Sequence, residues 1–158
     1  MGRYAERTQV APESSRVEIE RILVRYGASA FHYGWDNDRA VVGFSLDGRF
    51  FKITMSLPPK ENFERTPERR TLRAPKAAHA AWEQACRQRW RALALWIKAV
   101  LEAAESGIVT IEEALLPFLV LPDRSTVKEW LLPQVAQAYE SGAMPTKLLP
   151  LLTNLNQT

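Results

Sequence analysis

The chain is poor in the residues that most often carry chemistry. Among 158 residues it has one cysteine, Cys86, and two histidines, His32 and His79. A lone cysteine excludes an internal disulfide and any cysteine-based metal site. Neither histidine belongs to an HxxxH or CxxC spacing, so no metal site is expected. No GxGxxG or Walker-type phosphate loop is present. Asp36 and Asp38 flank Asn37, but a hairpin turn takes Asp and Asn for backbone reasons alone. The expectation is a protein that is not an enzyme and holds no cofactor. Long apolar runs are also missing: Leu93–Leu101 is interrupted by Lys98, which is too soon for a membrane span. The segment MGRYAERTQVAPESS has no hydrophobic signal core, and Glu6 stands where myristoylation needs Ser or Thr. A reducing cytoplasm is the expected compartment.

What is present is the composition of an ordinary globular domain, 46% hydrophobic and 25% charged. The charge is polarised. Residues 1–64 balance, with nine basic and nine acidic side chains. Residues 65–98 hold nine basic against two acidic, a net of +7. Residues 99–158 hold three basic against seven acidic, a net of −4. A basic middle points to a polyanion partner, and an acidic end is suited to mask it or to bind a second protein.

Periodicity gives the elements. Ser15 with Glu18 reads as a capping box, and Ile19, Ile22, Leu23 and Tyr26 form one apolar helix face that ends at Gly27. Three alternating segments follow, carrying Phe31–Tyr33–Trp35, Ala40–Val42–Phe44–Leu46 and Phe51–Ile53–Met55–Leu57 on one face. Asp47-Gly48 is a two-residue hairpin turn. It sets Phe44 opposite Phe51 and Val42 opposite Ile53. A similar turn at Asn37-Asp38 sets Trp35 opposite Ala40, Tyr33 opposite Val42 and Phe31 opposite Phe44. Both turns agree on one antiparallel meander. The outer face, with Val41, Gly43, Phe50, Lys52 and Thr54, is expected to be exposed.

Residues 58–75 hold four prolines and much charge, and read as a mobile arm. Pro75 opens a long helix that ends at Gly107. Thr110 with Glu113 and Thr126 with Glu129 are further capping boxes. Pro117 stops one short helix, Pro133 bends the next, and Gly142 terminates it. The expected class is α+β: an N-terminal helix, a three-stranded antiparallel meander, a long basic helix on the sheet, then short C-terminal helices. Residues 1–107 would form the core, with the arm at 58–75, and residues 108–158 a helical appendage.

The long helix carries the functional expectation. A wheel at 100° per residue groups Lys76, Arg87, Arg91 and Lys98 on one stripe, with Trp82, Cys86, Leu93, Trp96 and Ile97 opposite. A solvated face with a Glu83–Arg87 ion pair is the plain alternative for the basic stripe. Trp90 falls at the boundary, where it would stack on a base or anchor an interface. Arg89 falls amid the apolar side, so a buried ion pair or a partner contact is expected for it. Arg65, Arg69, Arg70 and Arg73 of the arm suit phosphate backbones. The expected nucleic-acid contacts are therefore Arg65, Arg69, Arg70, Arg73, Lys76, Arg87 and Arg91, with Trp90.

The residues RYGA (Arg25–Ala28), Asp47-Gly48, AWEQACRQRWRALALWIKA (Ala81–Ala99) and LPDRSTVKEWL (Leu121–Leu131) resemble a widespread family of small phage and prophage proteins. The resemblance covers about 130 residues, and Arg124 stands where that family is expected to have Gly. The family carries no established activity, so no site residues transfer from it. It implies a viral or mobile-element origin and expression in a bacterial cytoplasm. The element order also resembles phage single-strand-annealing proteins and the double-stranded-RNA-binding domain, at the level of topology alone. Three functions follow as expectations: nucleic-acid binding, with single-stranded DNA in recombination or replication favoured; modulation of a host protein; and self-assembly into a structural oligomer.

Overall fold

The computed structural model describes residues 13–35 and 38–144. The turn expected at Asn37-Asp38 lies partly outside these residues, and most of the C-terminal apolar segment lies wholly outside them. Helix α1 spans Glu13–Arg25 and the strands are β1 (Ser29–Trp35), β2 (Arg39–Leu46) and β3 (Arg49–Ser56). Helix α2 spans Pro75–Glu105, α3 Ile111–Leu115 and α4 Val127–Ser141, with 3-10 turns at Lys60–Phe63 and Leu116–Phe118. The class is α+β. Helix α1 begins ahead of Ser15, so Ser15 is a buried first-turn residue rather than the cap.

The sheet runs β1-β2-β3, antiparallel throughout. Phe44 pairs with Phe51 and Val42 with Ile53, as the Asp47-Gly48 turn requires. Trp35 pairs with Ala40 and Tyr33 with Val42. Phe31 and Ala30 together stand opposite Phe44, between the pairs His32–Gly43 and Ser29–Ser45. The register shifts between Ser29 and His32, so β1 carries one extra residue there, and Ala30 takes φ +52°. That is a bulge, and it lets β1 start two residues earlier than its alternation shows. On the outer face the Phe50 ring lies across Gly43: a Cβ there would stand 2.7 Å from the ring. His32 packs edge-on against the same ring. Position 43 therefore accepts no side chain without displacing Phe50.

One core joins α1, the inner sheet face and α2. It contains Ile19 and Leu23 of α1, Val42, Phe44 and Ile53 of the sheet, and Trp82, Cys86, Trp90, Ala94, Ile97 and Leu101 of α2. The α2 stripe is a run of i+4 steps with one i+3 step. Relative to the expected face it is turned by about 60°. Trp90 therefore points fully into the core and Trp96 moves to the edge, where it is 36% exposed against Phe118.

The segment after α3 is tied back to the sheet. Pro117 ends α3 in a 3-10 turn, after which Leu119 bridges Phe51 and Val120 N–H donates to the Phe50 carbonyl. The chain reverses between Val120 and Thr126 with Arg124 at φ +70°. Only glycine takes that conformation without strain, which is the physical reason to expect Gly at this position. Both capping boxes, at Thr110 and Thr126, are formed. Helix α4 continues through Pro133 and closes on Gly142 at φ +68°. None of the residues of α4 is buried.

Candidate nucleic-acid interface

The arm is folded, not loose. Leu57 and Pro58 are buried at the end of β3, and the Trp82 indole N–H donates to the Pro58 carbonyl at 2.8 Å. After the 3-10 turn at Lys60–Phe63 the chain doubles back, with Arg65 bridged to Leu72. Thr66 N–H donates to Thr71 O, Arg73 N–H to Glu64 O, and Thr71 N–H to the Thr66 hydroxyl. The prolines thus set turns within a compact excursion and do not leave it free.

Two arginines hold this excursion together. The Arg65 guanidinium donates to the Arg70 carbonyl at 3.0 Å. The Arg73 guanidinium donates to the carbonyls of Phe63 and Arg65 at 3.0 and 3.3 Å. The acceptors are carbonyls and not carboxylates. Arg69 and Arg70 sit exposed at the tip, with Arg70 at φ +50°. Lys76 is exposed in the first turn of α2.

Between the arm and α2 lies an open pocket of about 370 Å³. Leu72, Pro75, Ala78 and Trp82 give it apolar walls. Lys60, Arg73 and His79 bring basic groups to it, and Glu64 brings one carboxylate. The Lys60 ammonium stands 4.4 Å from the centre of the Trp82 ring, a cation–π contact. His79 lies over the same indole at 5.6 Å and pairs with Glu83 at 3.3 Å. Ala74, ahead of α2, provides no side-chain cap, and the first turn of α2 carries no acid.

The other expected residues are elsewhere. Arg87 forms the i,i+4 pair with Glu83 at 3.9 Å and donates to Gln84 at 2.9 Å. Arg91 is exposed one turn further on. Both project from a side of α2 different from that of Ala78 and Trp82, so arm and stripe form two patches and not one. Trp90 is 0% exposed and cannot stack on a ligand. The boundary placement failed because the core stripe is turned. Arg89 is exposed, and its guanidinium donates to the Ser56 carbonyl at 2.8 Å. It ties α2 to the end of β3, and among the described residues it forms no ion pair of the buried kind expected for it. Lys60 and Leu72 were not expected at a site. The only sequence signal for Lys60 is that a chain leaving β3 through Pro58-Pro59 must pass the start of α2.

Cys86 is buried in the core, and burial pushes its thiol pKa up. It is no nucleophile in this state. Among the described residues no group of His, Cys, Asp and Glu is placed to hold a metal. A second groove, on the outer sheet face beside Trp35, is equally large. Its Lys52 is already engaged by Glu129 at 3.6 Å and by the Arg124 carbonyl at 3.2 Å. That leaves the arm pocket the better anion site. No helix among the described residues is long and apolar enough to cross a membrane. Comparison with protein-family models, curated proteins and solved structures finds no match for the chain.

Proposed function

We propose that the protein is a non-enzymatic nucleic-acid-binding protein, with single-stranded DNA the favoured ligand, and that the strand lies along the arm and the first turns of α2. One observation carries this reading. Lys60 and Arg73 line one open pocket, Arg65, Arg69 and Arg70 lie on the same folded arm and Lys76 in the first turn of α2, and none of the six is in an ion pair among the described residues. Arg69 and Arg70 contact phosphates directly, while Arg65 and Arg73 position the arm and add to its field. Arg87 and Arg91 serve as a second, weaker contact patch. Recombination or replication of a phage or prophage in a bacterial cytoplasm fits the family resemblance.

Joint reversal at the tip, Arg69→Glu with Arg70→Glu, tests it. Anisotropy of a labelled single strand is expected to report affinity reduced by about tenfold or more. Reversal at Arg91 alone has a smaller effect. Equal affinity of the tip variant and the parent protein contradicts the assignment.

A second reading has one observation in its favour. Helix α4 buries no residue, and Leu132, Val135 and Tyr139 stand 59%, 38% and 87% exposed. Such a face suits a host protein, or a second copy in a self-assembled oligomer. Light scattering separates the two, since a strict monomer excludes self-assembly. A nuclease-treated pull-down that Tyr139→Glu abolishes supports the host-protein reading, and recovery of no partner counts against it.

A further inference from the structure

We infer that the pocket between the arm and α2 receives one nucleobase of the bound strand together with its adjoining phosphate. The inference rests on the nucleic-acid reading above and adds to it where the strand is gripped and why a single strand is preferred. Phosphate binding alone needs only exposed cations. This site has more: a concavity of about 370 Å³ walled by Leu72, Pro75, Ala78 and Trp82. Leu72 is 67% exposed, a large apolar side chain of the folded arm that lines the same pocket as Ala78. A planar base covers that surface, and a bare phosphate does not. Lys60 and Arg73 line the same pocket and supply positive charge for the phosphate attached to such a base, Arg73 while it also holds the arm through the Phe63 and Arg65 carbonyls. Glu64 repels a lone anion but accepts a hydrogen bond from a base imino or amino group. The uncapped, acid-free first turn of α2 favours negative charge at the same end. Bases paired within a duplex are not available to the pocket, so selection for single strands follows from shape. Trp90 is buried, and Trp82 is 5% exposed with Lys60 over its ring, so the base is held by apolar contact with Leu72, Pro75 and Ala78 and not by stacking on a tryptophan.

The test compares labelled oligothymidylate with an abasic oligomer of equal length, at one salt concentration, on the full chain. The expected result is about tenfold weaker binding of the abasic strand. Ala78→Phe, which fills the pocket, is expected to remove the difference between oligothymidylate and the abasic strand. Leu72→Ser, at an exposed position, gives the same narrowing without altering the helix. Equal binding of both strands by the parent protein overturns the pocket and leaves the polyanion reading standing. Binding of neither strand overturns both.

Discussion

Trp90 has no surface in water, yet its indole N–H finds no hydrogen-bond partner among the described residues. A buried unpaired donor costs about 1–3 kcal/mol, and the packing of the largest fully buried side chain outweighs it. Truncation and isosteric trimming should therefore differ. Trp90→Ala is expected to lose about 3–5 kcal/mol in urea denaturation. Trp90→Phe should lose much less, because removing the unsatisfied N–H offsets part of the lost volume. Trp96→Ala, at the helix edge, should also cost less than Trp90→Ala. Equal losses at 90 and 96 would show that the core stripe is misassigned. Arg89 is instructive beside Trp90. One rotation of the helix face by about 60° carries the tryptophan in and the arginine out.

The meander was legible from residue pattern because strand periodicity and turn chemistry each fix the register independently. Leu46 opposite Arg49 and Trp35 opposite Ala40 follow from turns alone. The bulge in β1 was not legible, because Ala30 carries no signal for a positive φ. The face of α2 was harder still. Apolar residues surround much of this helix, and Leu95 is 59% exposed while Ala94 is buried. Hydrophobicity alone thus points to the wrong side, and the i+4 alternation of Trp82, Cys86, Trp90 and Ala94 is the better guide. The fold of the arm was hidden because it depends on the guanidinium-to-carbonyl bonds of Arg65 and Arg73, for which charge counting has no term.

The capping boxes at α3 and α4 were legible, and they carry a pH signature. Thr110 holds Glu113 below the ordinary carboxylate range by donating backbone and side-chain hydrogen bonds to it. Thr126 does the same for Glu129, first through its backbone N–H, and Lys52 adds a smaller lowering. A depressed folded-state pKa means stabilisation that is complete above the unfolded value of 4.5 and lost as pH falls through the folded value. Glu129→Ala is therefore expected to destabilise the protein near neutral pH, and that gap should shrink in acid. Denaturation curves of parent and variant on either side of the carboxylate range check this. A gap that does not change with pH contradicts the cap assignment.

Charge polarity defines the whole molecule. The acidic C-terminal part was expected to mask the basic middle or bind a partner. Among its described carboxylates, Glu112 and Glu129 pair with Arg49 and Lys52 of β3. Glu102 pairs within α2, with Lys98. The arm thus keeps its field, six basic residues against three acidic over residues 58–76. The most direct measurement of the proposed function is the affinity for a labelled single-stranded oligonucleotide as a function of salt. If four to six phosphates are contacted, log K should fall against log salt with a slope of roughly −3 to −4. Absence of binding at low salt, or binding indifferent to salt, contradicts the account.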